Sequence, residues 1–187
     1  MTQIRCFVAV PVTIPGLREL VERMNRVRGM KGVALENLHI TLKFLGDVEV
    51  EKDLTDIMER LRAVAERHTS FYIRFRGTGA FPNMKRLRVA WVGIESEGLL
   101  SLGDDVVSSL PYRLEENSGR EFNPHLTIGR LKHPSARLEA RNLLEKYKNT
   151  DFGEMKASAF YLMKSTLSPS GPFYSKIESF PLKDHMD

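Results

Sequence analysis

Cysteine is almost missing from this chain: Cys6 is the only one in 187 residues. That excludes an internal disulfide and a zinc site made of several thiolates. Cys6 lies in the apolar run RCFVAVPV, where a thiol packs as a small hydrophobe. Long apolar stretches are missing too, and the longest fall far below the ~20 residues needed to span a membrane. No secretory apolar segment follows the first Met, which sets the expectation of a cytoplasmic protein with no membrane partner. Neither HExxH nor a phosphate-binding P-loop motif occurs. Nor does one sign of charge dominate. There are 28 Lys and Arg against 24 Asp and Glu, a net charge of +4. This mild basic excess suits a phosphate-bearing partner without requiring one.

What is present suffices for a core. The chain is 42% hydrophobic and 28% charged, which argues against disorder and against a fibre. RCFVAVPV reads as a buried strand. PGLRELVERMNRVRG follows with Leu17, Leu20, Val21, Met24 and Val27 at helical spacing, and Gly29 is placed to end that helix. ENLHITLKFLGD alternates, with Leu38, Ile40, Leu42 and Phe44 on one face and His39, Thr41 and Lys43 on the other, as a half-buried strand does. A second helix runs through EKDLTDIMERLRAVAERH. FYIRFRGTGAF and LRVAWVGIE are strands around a PNMKR turn. Leu99, Leu102, Val106 and Leu110 mark a third helix. FNPHLTIGRL is a strand, and a fourth helix follows Pro134. ASAFYLMKSTL and PFYSKIESFPL are strands around SPSG.

The order of elements repeats, with His39 and His125 separated by 86 residues. The expectation is an α+β fold: one bilobed domain over residues 1–187, with an internal repeat of about 1–87 and 88–187. Its two antiparallel sheets face a central cleft and its helices lie outside.

Residues two apart on a strand point the same way. His39 and Thr41 therefore share a face, as do His125 and Thr127. If the lobes face each other, two imidazoles and two hydroxyls converge in one groove, the arrangement of an active site. Histidine titrates near working pH, so a pair can present one neutral ring and one protonated ring. The first takes a proton from an attacking water and the second gives one to a departing alkoxide. Each threonine can donate to a non-bridging phosphate oxygen. Two histidines can also bind zinc, but no third ligand stands at a telling spacing.

With HITLKFLGD, HLTIGRLKH, the VAVPV start, the RVAWVGI strand, FPN and STLSPSGP, the sequence resembles the two-histidine phosphoesterase superfamily. Within it, the likeness is to the RNA 2′,3′-cyclic phosphodiesterases, historically called 2′-5′ RNA ligases, and it covers almost the whole chain. The resemblance implies hydrolysis of a terminal 2′,3′-cyclic phosphate of RNA to a 2′-phosphate, with 2′-5′ ligation as the reverse. It implies His125 as proton acceptor, His39 as proton donor, Thr41 and Thr127 holding phosphate, and no cofactor or metal. The expected partner is an RNA with a cyclic phosphate end, such as a tRNA fragment, bound by a monomer.

The resemblance also implies that Phe44 stacks on a base and Arg130 meets a phosphate. Strand parity points both away from the histidines. Gly129 could permit a bulge that turns Arg130 inward. Nothing comparable precedes Phe44, so core packing stands as its alternative. His68, His133 and His185 read as surface residues and Trp91 as core. Tyr174 is a lesser candidate for the cleft wall, and Lys85, Arg86 and Arg88 for guiding RNA. Related chemistry on small cyclic nucleotides, ADP-ribose cyclic phosphate or 2′-5′ oligoadenylate is the nearest rival, and a non-catalytic RNA-binding module the next.

Overall fold

The computed structural model describes residues 1–110 and 122–185. Nine strands among them form two antiparallel sheets. The first has the order β3 (His39–Glu49), β1 (Gln3–Pro11), β8 (Ala159–Ser168), β9 (Gly171–Pro181). The second has the order β2 (Met30–Gly32), β6 (His125–Leu131), β5 (Val89–Glu95), β4 (Phe71–Phe81), β7 (Asp151–Ala157).

Four α-helices cover the outer faces. α2 (Val50–Glu66) and α3 (Glu97–Ser109) pack on each other and on β3, with α2 reaching β9 and α3 reaching β4. α1 (Arg18–Arg26) lies on β2 and β6, and α4 (Arg137–Tyr147) on β4. The apolar periodicity is what selects these faces. Leu20, Val21 and Met24 of α1, Ile57, Leu61 and Val64 of α2, and Leu99, Leu102 and Val106 of α3 are all buried. Each fully covered Leu, Ile or Val stabilises the fold by roughly 1.5–3 kcal/mol before conformational entropy is subtracted. Their side chains join those of both sheets in one continuous apolar cluster.

β1 reads as an uninterrupted apolar run because it is covered twice. Cys6, Val8 and Val10 face the helices. Phe7 and Ala9 face the cleft, where they pack with Met163, Tyr161 and Tyr174.

Three features go beyond or against the sequence reading. Sheet membership does not follow position along the chain. β8 and β9, from its end, pair beside β1 and β3, from its start, while β2 and β4 join β5, β6 and β7 in the second sheet. Antiparallel pairing, not order along the chain, decides sheet membership. The first helix is shorter than its periodicity: Pro15–Leu17 is a 3-10 turn, α1 stops at Arg26, and Val27 is already extended. The chain then passes Gly29 at φ +96 to enter β2. A Cβ at Gly29 would also press to 3.1 Å from the Cβ of Ala136. Two strands escape the sequence reading altogether. β2 has only three residues, and β7, DFGEMKA, is an edge strand whose exposed side shows no apolar alternation.

Candidate active site

His39 opens β3 and His125 opens β6, and the two strands approach within 8 Å between Cα atoms. Both imidazoles line one cavity of about 370 Å³, together with Thr41, Thr127, Phe44, Arg130, Phe7 and Tyr174. The predicted convergence of the two His–Thr pairs is therefore present.

Each ring is held in the same way. His39 Nδ1 lies 2.7 Å from the carbonyl oxygen of Asn37, and His125 Nδ1 lies 3.0 Å from that of Asn123. A carbonyl can only accept, so Nδ1 must carry the hydrogen in both rings. Nε2 is thus the proton-exchanging atom of each. A phenylalanine braces each ring: Phe7 at 5.1 Å from His39, and Phe81 edge-on at 4.8 Å from His125. Tyr174 adds an edge-on contact to His39 at 5.2 Å. The asparagines two residues before each histidine escape the sequence reading, although NLHIT and NPHLT carry the signal twice.

His39 titrates below its ordinary 6.5. Burial is the chief cause, and the Arg130 cation pushes the same way against the Asn37 carbonyl. Arg130 also works against the upward shift that burial imposes on Tyr174. Its charge therefore reaches across the cavity.

Bulges explain how Phe44 and Arg130 come to line the cavity against simple parity. Between β1 and β3 the pairs Ala9–Thr41 and Val8–Lys43 leave Leu42 as an extra residue. Between β5 and β6 the pairs Trp91–Thr127 and Ala90–Gly129 leave Ile128. Each extra residue reverses the alternation that follows it. Phe44, 58% exposed, is accordingly not core. The bulge that turns Arg130 inward falls at Ile128, one residue before Gly129. The bulge at Leu42 also sends Lys43 to the opposite face from His39. Lys43 is 8% exposed, its ammonium donates to the carbonyls of Val107 and Leu110 at the end of α3, and burial lowers its pKa.

Other sequence-level candidates separate. Trp91 pairs with Thr127 and shares its sheet face, so it is not core. Its ring lies so close on Gly79 that a Cβ there would sit 2.2 Å away, and its indole N–H is buried without a partner among the described residues. Lys85, Arg86 and Arg88 are exposed and lie outside the cavity lining. His68 is not a surface residue: its side chain is 13% exposed and Nε2 lies 2.8 Å from Asp105. His133 caps the turn before α4, accepting from the Ser135 N–H. Among the described residues no cluster of three or more His, Cys, Asp or Glu is placed to hold a metal ion. No helix there is long and apolar enough to cross a membrane.

The family model described as the 2′-5′ RNA ligase superfamily matches residues 15–168. The chain is 41% identical to an RNA 2′,3′-cyclic phosphodiesterase of Archaeoglobus fulgidus, covering 94% of this chain and 99% of that one. It is 36% identical to one of Methanocaldococcus jannaschii over the same shares. A crystal structure from Thermus thermophilus superposes with a TM-score of 0.80 at 33% identity, covering 98% of this chain and all of that one.

Proposed function

The chain belongs to the 2′-5′ RNA ligase superfamily, and from that premise we propose that it is a hydrolase that opens a terminal 2′,3′-cyclic phosphate of RNA to a 2′-phosphate. The observation that carries the reading is the pair of His–Thr strands lining one cavity, each ring fixed through Nδ1 with Nε2 free for proton exchange.

In this reading His125 Nε2 takes a proton from water as the water oxygen bonds to phosphorus. The bond from phosphorus to the 3′ oxygen breaks, and His39 Nε2 gives its proton to that oxygen. The Asn123 carbonyl supports the imidazolium that forms on His125. Thr41 and Thr127 donate to the non-bridging oxygens, Arg130 meets the phosphate charge, and Phe44 offers its exposed ring to a base. A His39 kept below its ordinary pKa is a stronger acid but carries its proton less often. A phosphodiester anion seated beside it and Arg130 offsets that by favouring the charged ring. Ligation is the same path reversed, with the histidines exchanging roles. The cleft is built within one chain, so a monomer suffices. RNA ends such as those of tRNA fragments, in the cytoplasm, are the substrates this reading assigns.

The test uses a short RNA ending in a 2′,3′-cyclic phosphate, incubated with excess EDTA. The expected product carries a 2′-phosphate. His39→Ala and His125→Ala should each lower turnover by about 10²–10⁴-fold, with circular dichroism unchanged. Turnover at the wild-type rate by either variant would overturn the paired mechanism.

A further inference from the structure

A second groove of about 260 Å³ opens from the catalytic cavity and shares Val33, Arg130 and Tyr174 with it. Its walls come from both sheets. One is the β2–β6 ribbon, where Lys31 pairs directly with Arg130 and Lys132 follows. The other is the β8–β9 hairpin, through Ser170, Gly171 and Pro172.

The chemistry of this groove is one-sided. Lys31, Arg130 and Lys132 line it, and no carboxylate does. Ion pairs with acids among the described residues hold Arg18, Arg23, Arg60, Arg62, Arg67, Arg74 and Lys148. None of the three groove cations forms an ion pair among the described residues. Three unneutralised cations held close together repel one another, an arrangement that an anion relieves. Ser170 and Gly171 are exposed or half-exposed at the hairpin tip and put little bulk in the way. Asn37 lies on the groove wall while its carbonyl holds His39. The groove therefore adjoins the cavity beside the residue that holds His39.

We infer that this groove carries the single-stranded RNA upstream of the reacting end, with Lys31 and Lys132 on the phosphates that precede the terminal nucleotide. The inference rests on the proposed RNA-end reaction and extends it from the reacting phosphate to the strand behind it. A 2′,3′-cyclic mononucleotide has no upstream phosphate and so cannot use the groove.

The experiment compares wild type with the Lys31→Gln/Lys132→Gln double variant in two assays. In the first, kcat/KM is measured for a 2′,3′-cyclic mononucleotide and for a short oligonucleotide with the same terminal nucleotide. The double variant should lose about tenfold on the oligonucleotide, through KM, and nothing on the mononucleotide, as expected for two exposed phosphate contacts. In the second, fluorescence anisotropy follows binding of an oligonucleotide ending in a 2′-phosphate across a salt series. The slope of log affinity against log salt should flatten by about one per lysine removed. Lys31→Arg/Lys132→Arg should keep both properties. Equal losses on both substrates, or an unchanged salt slope, would overturn the groove assignment. The anisotropy assay does not depend on turnover. A wild type that binds the strand with the expected slope but opens no cyclic phosphate would therefore sink the proposed reaction and leave the groove standing.

Discussion

His39 and His125 share a hydrogen-bonding device, and at His39 burial and, after it, the charge of Arg130 act on the ring as well. Burial disfavours a positive charge on the ring, and the Arg130 cation nearby disfavours it further, so the ring gives up its proton below 6.5. A step that needs protonated His39 is lost as pH rises through that lowered value. Replacing Arg130 with Gln removes one of the two causes and leaves the other. The His39 midpoint in the free protein, followed by NMR of the ring carbons, should therefore move upward in Arg130→Gln while staying below 6.5. Phosphate binding to wild type should move it in the same direction, because an anion favours the charged ring. A midpoint unmoved or lowered by the substitution would show that the Arg130 charge does not reach the ring.

At the level of elements, the two bulges decide what the cleft contains. HITLKF and HLTIGR are legible as half-buried strands, and period two places each His and Thr together. The same period puts Lys43 on the wrong face and leaves Phe44 in doubt. A bulge depends on the partner strand, and the registers of β1 against β3 and β5 against β6 are not written in either segment alone. Long helices and apolar strands are legible because burial imposes their patterns locally. β2 and β7 are not, being short or polar at a sheet edge.

Lys43 shows the energetic side of its bulge. Carried to the helix side, its ammonium serves the terminal carbonyls of α3, which have no intrahelical donor. Lys43→Met keeps much of the apolar stem and removes the charged donor. It should lower stability by about 1–3 kcal/mol, measured as a fall in the urea midpoint. A midpoint equal to wild type would mean that the desolvation of the ammonium cancels those bonds.

Across the whole molecule, the site depends on holding two interleaved sheets in one relation. α2 leaves the strand that carries His39, and α3 lies between β5 and the strand that carries His125. The tie between these helices is Asp105 on α3, which accepts from Arg67 at 2.9 and 3.1 Å, from His68 at 2.8 Å and from Ser109 at 3.2 Å. The Arg67 hydrogen bonds, helped by those of His68 and Ser109, hold its carboxyl at about 2 against an ordinary 3.8. A carboxylate depressed in the fold contributes stability that is present above its unfolded value and lost as pH falls through the folded one. The window here is therefore from about 4 down to about 2. Arg67 is 52% exposed and water screens it, so the contribution is on the order of 1–2 kcal/mol, below what the shift alone converts to. Asp105→Asn keeps the shape and removes the charge. Its urea midpoint should fall below wild type at pH 7, and the gap should narrow as pH drops below 4. Turnover of a cyclic phosphate should persist, since Asp105 is not on the cavity wall. A gap that is as wide at pH 3 as at pH 7, or no gap at pH 7, would remove the charge tie between α2 and α3 from the account of how the two histidines are kept facing.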